Sequence, residues 1–387
     1  MNVRFKKQLN HILGVLSAMA ILCIPLRANE NDSVLTKLKT IDTISTTVPT
    51  NGDVNPYGLV RIPRSMGKLQ EGDYLVSNFN ASSNLQGTGS TIVEVSPAGT
   101  LSLFSQINPA SLPGPCPGGV GLTTALAVLR TGWVIVGSLP TSDGTSSTAQ
   151  AGCLIVLDSW GTPVETIQGS LINGPWDMTW LDGNTQAALF VTNVLNGTVA
   201  ANGSVVNQGT VVRVNLFVSE KTMPFLESLT VVGAGFSERT DPAALVIGPT
   251  GLGLSSTCDQ GEDACDSAFG GREPVLYLAD SLNNRVDIIS NPLSRTQPAG
   301  PGNVLSRGGS LNDPLGLTVA PNGHVLVVNG NDGFVTEITS DGKQISKKLL
   351  DASGTPPGAG ALFGLIFDPE DGLVFVDDAT NTLNLLH

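Results

Sequence analysis

Histidine is nearly missing from this chain. There are three in 387 residues, at His11, His324 and His387. A zinc site built on several histidines is excluded on that count. A histidine general base or a Ser-His-Asp triad has almost nothing to draw on. Charge is also sparse: charged residues make up 14%, and no long amphipathic helical period occurs after residue 30, which excludes a helical bundle. Positive charge is the scarcer sign, with 20 Lys and Arg against 33 Asp and Glu. Nucleic acid and anionic membranes need a positive field to meet their phosphates, so neither is an expected partner. No Gly-x-Ser-x-Gly elbow or Gly-rich phosphate loop stands in a usable context, and the cysteines lack Cys-x-x-Cys spacing.

Long apolar runs are missing too, except one. Arg4, Lys6 and Lys7 precede the apolar stretch Ile12 to Ile24, and Leu26-Arg-Ala28 offers a small residue before Asn29. Basic, apolar, then small is the order of a secretory signal peptide, and the stretch is short against the roughly 20 residues of a membrane span. Residues 1–28 are therefore expected to be a cleaved leader, and the mature chain to be secreted or periplasmic without membrane insertion. Cleavage leaves 16 Lys and Arg against 33 Asp and Glu, a net charge near −17. That excess suits solubility or cation binding.

What the chain has in quantity is short apolar runs punctuated by turns. There are 45 Gly and 24 Pro, and dipeptides such as Asn322-Gly323, Asp341-Gly342 and Asp371-Gly372 separate runs rich in Val, Ile, Leu and Thr. This is β chemistry. Six copies of one pattern recur: a small-then-apolar step, then a run ending in Asp, Asn or Ser. The steps are Gly58-Leu59, Gly121-Leu122, Asp177-Met178, Gly251-Leu252, Gly316-Leu317 and Gly364-Leu365, at spacings of 63, 56, 74, 65 and 48. The runs end at Asn78, Ser138, Asn193, Asp280, Asn329 and Asp378. Scatter of that size fits a constant strand core with variable loops rather than a solenoid. Six antiparallel units of this length predict an all-β, six-bladed β-propeller over residues 51–387, with blades starting near 56, 119, 175, 249, 314 and 362. The last copy is one strand short. Within the N-terminal segment 29–50, residues 34–48 carry Ile41-Asp-Thr-Ile44 without a step of their own. They are expected to supply the outer strand of the last blade, which closes the ring and removes two exposed edges.

The segment Leu276-Tyr-Leu-Ala-Asp-Ser-Leu-Asn-Asn-Arg-Val-Asp-Ile-Ile289 resembles the NHL repeat: an apolar strand, Ala-Asp, a turn with Asn-Asn-Arg, another apolar strand. The resemblance continues more faintly at 316–338 and 364–386. It implies a ring of the NHL/TolB-like kind, a group whose members include binding modules, scaffolds, lactonases and lyases. Fold alone does not choose among these.

Four cysteines remain after the leader, an even number that favours disulfides in an exported chain. Cys258 and Cys265 close a short loop and are expected to pair. Cys116 and Cys153 fall within one blade and are a plausible second pair.

Propeller topology locates a site. The start of each first strand and the end of each second strand share one face of the disc. Tyr57, Val120, Trp176, Thr250, Leu315 and Phe363 should ring the channel mouth, with Asn78, Ser138, Asn193, Asp280, Asn329 and Asp378 just outside them. A concave patch with convergent polar groups is the default ligand site. The plainer alternatives are that the polar residues cap turns and that the aromatics plug the channel. Asp177 stands out, because an acid near the axis is costly unless paired, hydrated or bound to a cation. Calcium takes oxygen ligands and needs no histidine. Two regions could supply them: Asp177, Asn193, Asp280 and Asp378 at the mouth, or Asp259, Glu262, Asp263 and Asp266 in the short acidic loop. The first loosely resembles the metal site of lactonase propellers, although nothing here matches that family's glutamate. Two functions follow. One is a monomeric binding or scaffold module that holds a protein, peptide or glycan at the mouth, helped by the insertions 138–151 and 196–208. The alternative is a calcium-dependent, lactonase-like hydrolase or lyase at the same face.

Overall fold

The computed structural model describes residues 33–183, 185–255 and 273–387. The predicted Cys258–Cys265 bridge and the acidic loop Asp259–Asp266 lie outside the described residues. Six antiparallel sheets form a ring. Their innermost strands are Val54–Arg61, Leu122–Val128, Pro175–Asp182, Pro249–Leu254, Pro314–Val319 and Leu362–Asp368, and each neighbours the next around the axis. Blades one, two, four and five each run outward in chain order through four strands. Blade three has a fifth, Leu245–Ile247, paired to the end of its long outer strand Phe225–Asp241.

Blade six takes its outer strand from the N-terminal side: Ile41–Thr46 pairs antiparallel with Thr382–Leu386. A second clasp lies just before it. Glu337 of blade five accepts the Ser33 hydroxyl and the Val34 and Leu35 amides, while Leu35 is buried with Leu326 and Phe375. The ring therefore closes by β-pairing and is tied across blades five and six.

The second strands, such as Tyr74–Asn80, Val134–Ser138 and Val325–Asn329, are buried along their whole length. Each blade covers its neighbour's face, so both sides of a middle strand are dry. This is why these runs read as continuously apolar instead of alternating. The tight turns use glycine at positive φ, as at Gly323 (81°) and Gly342 (88°). Cys116 and Cys153 are bridged, with Cα atoms 5.2 Å apart. The bond fastens the Pro-rich loop before blade two to that blade's third strand.

The small-then-apolar step is a β-bulge. In blade five, Pro314 faces Asn329 and Leu317 faces Val327, so three steps on one strand match two on the other. Blades one, three, four and six repeat this. Blade two differs: Leu122 faces Ser138 and Leu126 faces Val136. Its inner-ring position is therefore taken by Thr123-Thr124, not by Val120-Gly121. Val120 packs away from the hub, among Ile107, Leu122 and other side chains of blades one and two. The Gly121-Leu122 pair matched the pattern in sequence, and only the ladder reveals the register error.

The glycines of the bulges have a steric cause. A Cβ on Gly316 would stand 1.8 Å from the Phe363 carbonyl oxygen, on Gly251 2.2 Å from that of Leu315, and on Gly364 2.3 Å from that of Tyr57. Neighbouring inner strands approach this closely only where no side chain intervenes.

A plugged channel mouth

The bulges aim Tyr57, Trp176 and Phe363 at one point. The Tyr57 ring stacks on Phe363 with centroids 3.8 Å apart and on Phe79 at 4.5 Å. Trp176 meets Tyr57 and Phe79 edge-on at 5.9 and 5.7 Å. All four are nearly or fully buried. Phe79 was not expected at the hub; it follows Asn78 by one residue and enters because its strand continues past the polar end. Leu315 is partly buried against this cluster, whereas Thr250 is drawn into hydrogen bonds. Its hydroxyl lies 3.1 Å from the carbonyls of Ala279 and Pro314.

A roof covers the rings. Leu139, Ala149, Val194, Leu245 and Val246 belong to the same packed cluster, with Leu195 and Val199 against it. Leu139 and Ala149 lie in the 138–151 insertion and Val199 in the 196–208 insertion, Val194 and Leu195 lead into the second, and Leu245 and Val246 belong to the hairpin that joins Arg239–Asp241 to Leu245–Ile247. That hairpin reaches across the mouth: Gln86 of blade one donates to the Ala243 carbonyl, and Asp241 acts electrostatically on Asp313 at the entry to blade five. The mouth is thus filled and lidded by apolar groups, where the sequence suggested an open concave patch.

The outer polar ring serves the backbone. Asn78 donates to the Thr47 carbonyl (3.0 Å). Ser138 accepts from the Gly121 amide and donates to the Gly119 carbonyl. Asn193 accepts from the Asn173 amide (3.2 Å). Asn329 accepts from the Asn312 amide and donates to the Ser310 carbonyl. Each ties the end of a second strand to the segment that leads into or flanks its own inner strand. Asp280 makes a turn instead, binding the Asn283 side chain and Arg285. Arg285 also pairs with Asp287 at 2.9 Å, so one guanidinium holds two buried carboxylates. In blade six the residue opposite the inner strand is Asp377, paired with Leu362. Asp378 lies one residue beyond it, and its amide donates to Ala361. The adjacent Asp-Asp pair hid this shift of one.

Asp177 occupies the bulge position that is glycine in four other blades. Its carboxylate accepts from the Leu252 amide of blade four at 2.8 Å. Its own amide donates to the Thr192 hydroxyl, which lies 3.2 Å from the Thr250 carbonyl across the same boundary. Blade one has a counterpart: the Gly58 amide donates to Ser77, whose hydroxyl donates to the Thr123 carbonyl of blade two. These hydroxyl staples were not legible in the sequence, because Ser77 and Thr192 look like ordinary strand residues. Asp177 keeps part of its surface open. Burial pushes its carboxyl up to about 7, against the pull of the Leu252 and Met178 amides and the Thr124 hydroxyl. Burial, reinforced by Asp377, likewise raises Asp378 to about 7.

The ring order, the bulged inner strands and the closing strand settle the architecture. The chain is a six-bladed β-propeller. Solved structures of similar fold include a gluconolactonase from Xanthomonas campestris (TM-score 0.52, 11% identity, 89% of this chain and 88% of that one). A luciferin-regenerating enzyme is also similar (0.51, 10%, 89% and 94%), as is the calcium-binding protein regucalcin from Agrobacterium tumefaciens (0.50, 15%, 88% and 92%). At such identities the likeness is one of fold. No protein-family model matches the chain, so the NHL name stays a resemblance, and no curated protein matches it in sequence.

Calcium, which one of these neighbours is described as binding, can be tested against the donors of this propeller. Among the described residues no three His, Cys, Asp or Glu side chains form a group that could hold a metal. Asp177 is turned to blade four, Asn193 to its own blade's entry loop and Asp280 to Arg285. The mouth set expected from sequence is therefore not assembled: three of its members are spent on local bonds, Asp378 does not group with the other acids, and these residues do not fit the ion.

Proposed function

We propose that this protein is an exported binding propeller whose upper face, the face of the channel mouth, is its recognition surface. The observation that carries this reading is the plugged mouth. Where a catalytic propeller needs an open, hydrated site, this one places four packed rings under a roof. The roof and rim are built from long loops on a rigid disc, an arrangement suited to recognition. The acidic excess favours a neutral or cationic partner: a protein, peptide or glycan.

A second reading has specific support. The neighbours by fold include a gluconolactonase and a luciferin-regenerating enzyme, and Asp177 is a partly exposed residue whose carboxyl is pushed up to about 7 by its surroundings. That reading is a lactonase-like hydrolase. One experiment separates them: metal content of the purified protein, and turnover of a lactone panel headed by glucono-δ-lactone, with and without added calcium. The binding reading expects no turnover above the uncatalysed rate. Calcium-dependent hydrolysis that disappears in Asp177→Asn would overturn it.

A further inference from the structure

We propose that the hairpin over residues 238–248 is a displaceable lid, and that the aromatic cluster beneath it receives an apolar organic cation, such as an alkylated ammonium group. The inference rests on the upper face being the binding surface, and it names the ligand chemistry of that face.

Three features of the hairpin oppose its closed position. Leu245 is held at φ 63° while 1% exposed. A side chain with a branched γ-carbon is strained in the left-handed region, and such strain persists only where surrounding packing imposes it. Glu238, at the hinge, is fully buried, and among the described residues neither carboxylate oxygen has a hydrogen-bond partner of good geometry. The carboxylate lies against Gly209, where a Cβ would stand 3.0 Å from Oε2, and Gly248 closes over its stem. Among the described residues the polar group that acts on it is the Asn196 amide, and no cation does. At the tip, Asp241 faces the like charge of Asp313. Arg239 offsets this in part while pairing with Asp241 at 2.8 Å. Holding the lid down are Leu245 and Val246, set in the aromatic cluster, and rim bonds such as Gln86 to Ala243 and Gly203 to Thr240. Apolar seating thus competes with backbone strain, an unpartnered acid and like-charge repulsion. A ligand that takes over the seating releases the rest.

The surroundings of that seat select the ligand. Tyr57, Phe79, Trp176 and Phe363 present ring faces and edges, and aromatic faces attract cations as well as apolar groups. A carboxyl group stands close by: the Asp378 amide bonds Ala361, two residues before Phe363. Asp378 is near enough to Tyr57 to strengthen the phenol's hold on its proton, and Asn55 is the polar group beside that phenol. Among the described residues, no cation acts on Asp378. Rings beside the Asp378 carboxyl fit an ammonium bearing apolar substituents better than an anion or a neutral sugar.

The probe is benzyltrimethylammonium, with benzyl alcohol as its neutral counterpart, read by tryptophan emission in the full mature chain. The component of the quenching that is absent from Trp176→Phe reports on the mouth. Benzyltrimethylammonium should bind saturably, about tenfold more tightly than benzyl alcohol, and about fivefold more weakly to Asp378→Asn. Leu245→Ser with Val246→Ser empties the seat while changing only the short fifth strand of blade three, and should tighten binding about tenfold by removing the competitor. Amide exchange at residues 239–247 should be faster than in the blade strand Val206–Phe217 and should slow on adding the cation. Equal affinity for the alcohol, or lid amides as protected as the blade, would overturn the proposal. So would the absence of saturable quenching in both the wild type and the double variant. These outcomes leave the binding reading itself intact, whereas calcium-dependent lactone turnover would overturn that reading whatever the lid does.

Discussion

Glu238 is where burial is least balanced, and Glu238→Gln turns that into a measurement. The side chain is fully buried, its oxygens lack good partners, and burial pushes its carboxyl up to about 8 from an ordinary 4.5. The folded protein therefore holds a proton that the unfolded chain releases near pH 4.5. The sign follows directly. Stability from this group is fully present below about 4.5, falls as pH rises from there, and levels off above about 8. At about 1.4 kcal/mol per pH unit, the whole fall is about 5 kcal/mol at most. Glutamine has the shape of the protonated acid and does not titrate, so Glu238→Gln should lack this slope. The assay is denaturant unfolding of both proteins at half-unit steps from pH 4.5 to 9. Glu94, Asp177, Asp287 and Asp378, all raised to about 7, titrate in both and cancel in the difference. The advantage of Glu238→Gln over the wild type should grow by several kcal/mol across that window. If the hairpin opens before the blades melt, the same growth appears in amide exchange at residues 239–247. A difference that stays constant with pH in both measurements would refute the reasoning, because it would mean Glu238 ionises alike in folded and unfolded chains.

Other perturbations have equally direct outcomes. Gly316→Ala forces a Cβ to 1.8 Å from the Phe363 carbonyl, so thermal unfolding should show a loss of about 3 kcal/mol or more; an unchanged melting temperature would mean the inner strands do not pack this closely. Arg285→Ala strands Asp280 and Asp287, both fully buried, and should cost about 3–5 kcal/mol at pH 8. The loss should shrink toward pH 5, since burial holds the Asp287 carboxyl near 7 and protonation relieves it; a loss that does not vary with pH would argue against a charge origin. Replacing Cys116 and Cys153 by serine opens a 37-residue loop and should cost about 4 kcal/mol on loop entropy, measured by urea unfolding of the oxidised parent against the variant.

The number of blades and the closing strand were both legible in the chain, for physical reasons. A propeller repeats one packing problem six times, so each blade needs a dry middle strand and a bulge that lets the next blade approach. Continuous runs such as Val325-Leu-Val-Val-Asn329 and steps such as Gly316-Leu317 are the residues those demands select. The one-strand deficit after Gly364 called for a strand from elsewhere, and Ile41–Thr46 fills it. The convergence of Tyr57, Trp176 and Phe363 was legible as well, since topology alone puts one residue per blade at the hub.

The state of the mouth lay beyond the sequence. Whether Asn193 or Asp280 faces a ligand or its own backbone depends on hydrogen bonds to residues 20 and 5 positions away, and strand patterns carry no record of those bonds. Val120 and Asp378 were misplaced by register, because a pattern shared by two adjacent residues fits either until a ladder chooses. The roof is a tertiary fact entirely: Leu245 and Val246 fall outside the six repeated steps and runs, and only folding brings them into one cluster with the rings. By itself the sequence determined a closed ring of six blades, because repetition and burial leave their mark on every copy. Tertiary structure alone decided that the ring's opening is sealed, because the sealing contacts join residues far apart in the chain that no local pattern links.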